Sequence, residues 1–103
     1  FPKIKIDYYQ SNIEGEIVQA IQDIDKNIDG LILNLGAFTH TSVAIRDALA
    51  TCSLPIVEVH LSNPNLREYF RRNSLISGYC KGVISGFGAD SYKLALSYFS
   101  ENN

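Results

Sequence analysis

Short apolar runs alternate with helical patterns along this 103-residue chain, which predicts an α/β structure with helices packed on a parallel sheet. Three observations carry that expectation. Leu31-Ile32-Leu33 is apolar at every position, as a strand covered on both faces must be. Ile13, Ile17, Ile21 and Ile24 recur at intervals of four and three and draw one helical stripe. Each strand-like run is followed by a polar turn and then a helical pattern, the order in which right-handed parallel crossovers are built.

The elements follow in sequence. Ile4 to Tyr9 alternates apolar and polar before Gln10-Ser11-Asn12 and reads as a strand entering a turn. Ser11 and Glu14 have capping-box spacing at the start of the first helix, and Gly30 closes the connection to the strand Leu31–Leu33. That strand stops at Asn34-Leu35-Gly36. A second helix is expected from Ser42 to Ala50, with Val43, Ala44, Ala48 and Leu49 inward and Thr39 or Thr41 as its cap. Pro55 opens the strand Ile56–Val59. Asn63-Pro64 signals a helix start, so Asn65 to Asn73 is expected to be helical. Gly82 to Gly86 supplies the last strand. Asp90 or Ser91 then caps a carboxy-terminal helix with Leu94, Ala95, Tyr98 and Phe99 as its apolar face.

Composition restricts the function. A hydrophobic content of 46% in 103 residues fits one domain, 1–103. Nine basic and eleven acidic residues, with both signs scattered and a formal charge of −2, leave no basic footprint for nucleic acid. No apolar run approaches the ~20 residues that span a bilayer. No stretch has the make-up of a secretory signal, so a cytoplasmic protein is expected. Cys52 and Cys80 lack metal-ligand spacing and are expected to be free thiols.

In an α/β sheet, ligands bind beyond the carboxyl ends of the strands. The segment Glu58-Val59-His60-Leu61-Ser62-Asn63 ends there. Residues i and i+2 of a strand share a face, so Glu58 stands beside His60 and can orient and charge-stabilise its imidazole for proton transfer near neutral pH. The alternative is a structural histidine satisfied by its neighbours. Backbone N–H groups of Leu61-Ser62 are placed to hold a carboxylate. In Asn34 to Thr41, Asn34 and His40 suit a hydroxyl-rich ligand, although Gly36 and the threonines also fit purely structural work. Arg67, Arg71, Arg72 and Asp47 are compatible with solvated helix faces. The glycines of Gly82 to Gly88 match no phosphate-loop or dinucleotide fingerprint, and no Gly-x-Ser-x-Gly elbow is present. His40 and His60 are the only histidines and no carboxylate cluster completes a ligand set, so no metal is expected.

The ordered motifs Gln10-Ser11-Asn12-x-Glu14-Gly15-Glu16, Asn34-Leu35-Gly36-Ala37-Phe38-Thr39-His40-Thr41-Ser42, Arg46-Asp47-Ala48-Leu49, Glu58 to Asn63, Arg67-Glu68, Phe70-Arg71 and Gly86-Phe87-Gly88 closely resemble those of the type II 3-dehydroquinate dehydratases. The resemblance implies a flavodoxin-like three-layer sandwich that removes water from 3-dehydroquinate through an enolate to give 3-dehydroshikimate, a step of the shikimate pathway. It implies no cofactor and no metal. His60 would protonate the departing hydroxyl and Glu58 would support it. Asn34, His40 and Arg71 would bind substrate hydroxyls, and the Leu61-Ser62 turn the carboxylate. Asp47 would reach a neighbouring subunit's site in a homo-oligomer, usually a dodecamer of trimers. Leu35 stands where the family usually has proline, and Phe38 where tyrosine is common.

By the same resemblance Phe1-Pro2 enters at the family's second strand. The family's first strand, its lid with an arginine and the tyrosine base, and its first helix have no counterpart in the sequence, and Tyr8 and Tyr9 do not match the base. These parts are expected to belong to the intact protein. The alternative reading is a non-catalytic ligand-binding or assembly remnant of the family that lacks the base.

Overall fold

The computed structural model describes residues 4–63 and 66–102. Its sheet has three parallel strands, β1 (Leu31–Leu33), β2 (Ile56–His60) and β3 (Gly82–Ser85), in that spatial order. Leu33 lies opposite Glu58, and His60 opposite Ser85. The helices are α1 (Glu14–Gln22), α2 (Phe38–Thr41), α3 (Val43–Ala50) and α4 (Asp90–Glu101). Two short 3-10 turns, Tyr69–Arg72 and Ser77–Tyr79, lie between β2 and β3.

β2 is central, and every residue of it is buried. Alternation along the strands sends side chains into two cores. On one face Leu33 and Ile56 pack with Ile21 of α1, Ile45, Ala48 and Leu49 of α3, and Ile76. On the other, Val57 and Val59 pack with Ala95 and Phe99 of α4, flanked by Ile32 and Ile84. Helices therefore cover both sides, which makes the expected three-layer α/β sandwich. Glu58 and His60, in phase with Ile56, are turned toward the first core. Gly30 lets the chain enter β1 beneath Phe99, since a Cβ there would fall 2.4 Å from the ring.

Several local expectations are corrected. Residues 4–10 form no strand, because a strand exists only beside a partner and the described sheet ends at β1 without pairing to them. The Ser11–Glu14 capping box is not made. Ile13 occupies the cap position, Ser11 Oγ accepts the Ile13 N–H at 3.0 Å and donates to Glu16 at 2.7 Å, and Glu14 instead accepts the Ser42 hydroxyl at 2.6 Å. Ser42, rather than Thr39 or Thr41, caps α3 by accepting the Ile45 N–H at 3.0 Å. The threonines belong to the separate turn α2. The inward stripe of α3 is Ile45, Ala48 and Leu49, while Val43 and Ala44 face out, as i, i+3, i+4 spacing from Ile45 requires.

The expected helix Asn65 to Asn73 is reduced to the turn Tyr69–Arg72; Pro64 and Asn65 lie outside the described residues. After that turn Asn73 becomes extended, which brings its carbonyl to His40 Nδ1 at 2.8 Å and the Leu75 N–H to the Thr39 carbonyl at 2.8 Å. Those tertiary bonds compete with continued helix. Asp90 and Ser91 sit in the first turn of α4 and do not cap it. Ser91 is buried and bridges the Phe87 N–H and the His60 carbonyl, and on α4 Ala95 and Phe99 are buried while Leu94 and Tyr98 face outward.

Candidate active site

The carboxyl end of β2 carries the chemistry. His60 Nε2 donates a hydrogen bond to Glu58 Oε2, and both side chains are buried. The other carboxylate oxygen, Oε1, accepts the hydroxyls of Ser77 at 2.7 Å and Ser74 at 3.1 Å. Burial alone would raise the Glu58 pKa. The bonds from His60 and Ser77, the charge of His60 and the bond from Ser74 together outweigh it and hold the carboxyl below its usual 4.5. Because a carboxylate only accepts, Nε2 of His60 carries a hydrogen, and the second proton of an imidazolium sits on Nδ1.

His40 extends the site from α2. Its ring stacks near His60, with centroids 6.1 Å apart and planes at 20°. Nδ1 faces the Asn73 carbonyl at 2.8 Å and must be the protonated nitrogen, which makes Nε2 an acceptor in the neutral ring. Phe70 meets His40 edge-on at 6.3 Å, and the Arg71 guanidinium lies 4.9 Å from the Phe70 ring while pairing with Glu68. The Glu68 carboxyl is held below 4.5, first by its own backbone N–H and then by Arg71.

These groups enclose a cavity of about 140 Å³. His40, Glu58, His60, Arg71 and Arg72 supply its ionisable lining, with hydroxyls from Ser74, Ser77 and Ser85 and one apolar wall at Val83. Cationic arginines beside a proton-donating imidazole suit a small polyhydroxylated acid. A second cavity, of about 390 Å³, opens at the other end of the sheet against Pro55, Ile56, Cys80 and Lys81. Cys52 and Cys80 are free, and the Cys80 thiol is pushed up to about 11 by burial and the negative charge of Glu58, which removes it as a nucleophile near neutral pH. Among the described residues no helix is long and apolar enough to cross a membrane.

The family model for dehydroquinase class II matches residues 2–100. The chain belongs to this family. Among its curated relatives, the 3-dehydroquinate dehydratase of Bacillus licheniformis is 48% identical over 99 residues, covering 96% of this chain and 68% of that protein. The 3-dehydroquinate dehydratase of a Nitratiruptor species is 56% identical over 93 residues, covering 90% of this chain and 60% of the relative. The crystal structure of the type II dehydroquinase from Butyrivibrio crossotus superposes with a TM-score of 0.91 at 44% identity, over 96% of this chain and 70% of that one. The type II dehydroquinase from Propionibacterium acnes gives 0.69 at 39% identity, over 84% and 61%. The chain thus spans 60% to 70% of the length of these four proteins.

Within this dehydroquinase fold, five of the residues singled out in the sequence meet at one cavity: His40, Glu58, His60, Arg71 and Arg72. Asn34 lies at the end of β1, where its side-chain amide donates to the Tyr92 hydroxyl at 2.9 Å and its oxygen accepts the Gly36 N–H at 3.3 Å. Leu61 and Ser62 follow β2 directly and are exposed, with the Leu61 carbonyl held by the Gly88 N–H at 2.8 Å. Gly86, at φ 92°, turns the chain there and donates to the His60 carbonyl at 3.1 Å. Asp47 is exposed on α3, pairs with Arg46 at 3.4 Å and does not line the cavity. Sequence reasoning did not single out Ser74, Ser77, Ser85 or Tyr92. The i, i+3 spacing of the two serines was a local signal for one shared partner, but nothing local named Glu58 as that partner.

Proposed function

We propose that the intact protein is a hydro-lyase that dehydrates 3-dehydroquinate to 3-dehydroshikimate, and that this chain supplies the acid half of the reaction. The observation that carries this reading is the buried Glu58–His60 pair, with the Glu58 pKa lowered by the bond from His60 and by the Ser77 and Ser74 hydroxyls. With Nε2 held by the carboxylate, Nδ1 is the nitrogen that passes its proton to the leaving hydroxyl while the enolate collapses to the conjugated enone. Arg71, His40 and Asn34 bind the substrate's hydroxyls, and the N–H groups of Leu61 and Ser62 its carboxylate. The base is a tyrosine from the segment in which the longer relatives exceed this chain.

By its resemblance to the family, Asp47, exposed on the outer surface of α3, serves a catalytic centre in another copy of the chain. This agrees with a homo-oligomer, a dodecamer of trimers, acting in the cytoplasm and built from a single-domain subunit. His60→Ala in the intact protein tests the reading. Loss of enone absorbance with substrate binding partly retained is expected; near-normal turnover refutes the assigned role. Binding without turnover by the unmutated intact protein would identify a non-catalytic remnant instead.

A further inference from the structure

The Glu58 side chain is buried, yet three side chains converge on it from two elements. His60 takes Oε2, from the same strand. Ser74 and Ser77 take Oε1, from the segment that returns toward β3. Ser74 is itself constrained, because its oxygen accepts the N–H groups of Ile76 and Ser77, each at 3.1 Å. A hydroxyl has one hydrogen and two lone pairs, so with both acceptor positions taken its hydrogen is committed to the carboxylate. Ser77 adds the shorter bond, at 2.7 Å. With two donors on Oε1, a proton on that oxygen would displace one of them.

We propose that Ser74 and Ser77 are positioning residues of the dehydration, which lock the Glu58 carboxylate with Oε2 turned to His60. The assignment rests on the functional reading above and extends it. Both serines act through Glu58. The same segment also places the Asn73 carbonyl on His40 Nδ1, so residues 73–77 set the geometry of both imidazoles. The other charged or titratable groups facing Glu58 are His60 on β2, His40 on α2, Arg71 and Arg72 on the turn Tyr69–Arg72, and Cys80 beyond Ser77.

Ser77→Ala is the cleaner probe, because it deletes one donor and leaves the Ser74 turn intact; Ser77→Thr keeps the hydroxyl. Each is made in the intact protein, with the Glu58 carboxyl followed by 13C NMR against pH and 3-dehydroquinate turnover measured in parallel. Ser77→Ala is expected to raise the Glu58 midpoint by about one pH unit, the shift one hydrogen bond to a charged group produces. The acid limb of kcat should move up with it while KM stays unchanged, and Ser77→Thr should restore both. A wild-type midpoint in Ser77→Ala, or a shift that threonine does not reverse, overturns the proposal. If the unmutated protein shows no turnover but the midpoint moves, the functional reading fails and the holding of Glu58 by the serines stands.

Discussion

Glu58→Gln is the most direct test of how the site handles its proton. The amide has nearly the shape of the carboxylate, so at a position only 1% exposed it opens no cavity and leaves one oxygen to accept both Ser74 and Ser77. What it removes is the charge and the acceptor opposite His60 Nε2, where the amide NH2 group now stands. A hydrogen bond to a charged group is worth about 1.5–3 kcal/mol, and the bond from His60 to the carboxylate is lost. At ~1.4 kcal/mol per factor of ten, kcat should fall by roughly 10- to 150-fold. kcat/KM should fall by the same factor with KM little changed, because the lost interaction matters where the proton is transferred rather than in ground-state binding. Steady-state enone absorbance at neutral pH measures this, with circular dichroism to verify the fold. A folded variant whose kcat lies within about threefold of wild type would refute the claim that Glu58 supports the acid.

Two further outcomes concern stability. Because Glu58 titrates below 4.5 in the folded chain, the folded state binds that proton more weakly than the unfolded state does. The associated stability is present above 4.5 and is lost as pH falls through the lower folded value; denaturant midpoints across that acid range should drop less steeply in Glu58→Gln than in wild type, and equal slopes would count against the linkage. Glu68 shifts in the same direction but is solvent-exposed, so it adds little. Gly30→Ala places a Cβ 2.4 Å from Phe99 Cε1 and 2.8 Å from Cζ. Overpacking of this kind costs about 1–3 kcal/mol, which a thermal melt resolves as a drop of several degrees; an unchanged Tm would show that Phe99 yields freely.

Much of the site was legible because strand periodicity is local. Glu58 and His60 share a face whatever the rest of the fold does, and the apolar runs around them specify a buried strand. The stripe of α1 was readable for the same reason, but on α3 only Ala48 and Leu49 of the expected inward set are buried, because Ile45 rather than Val43 and Ala44 completes that face. Caps were misread where a polar side chain had a distant competitor. Glu14 leaves its own helix start for Ser42, 28 residues away, and Ser42 then caps α3. Asn73 ends a turn rather than a helix because His40 takes its carbonyl.

The sequence by itself determined the layered α/β class, the family, and the acid–histidine pair at a strand end, since each depends on residue type and short spacing. Only the tertiary structure decided what that pair is bonded to. Ser74 and Ser77 lie 16 and 19 residues beyond Glu58, and His40 meets Asn73 across 33 residues. No periodicity encodes such approaches. They follow from how β2, flanked by β1 and β3, forces the intervening chain to return over its carboxyl end. The alternating pattern of residues 4–9 makes the same point in reverse: it specifies two faces, but a strand also needs a neighbour to bond to.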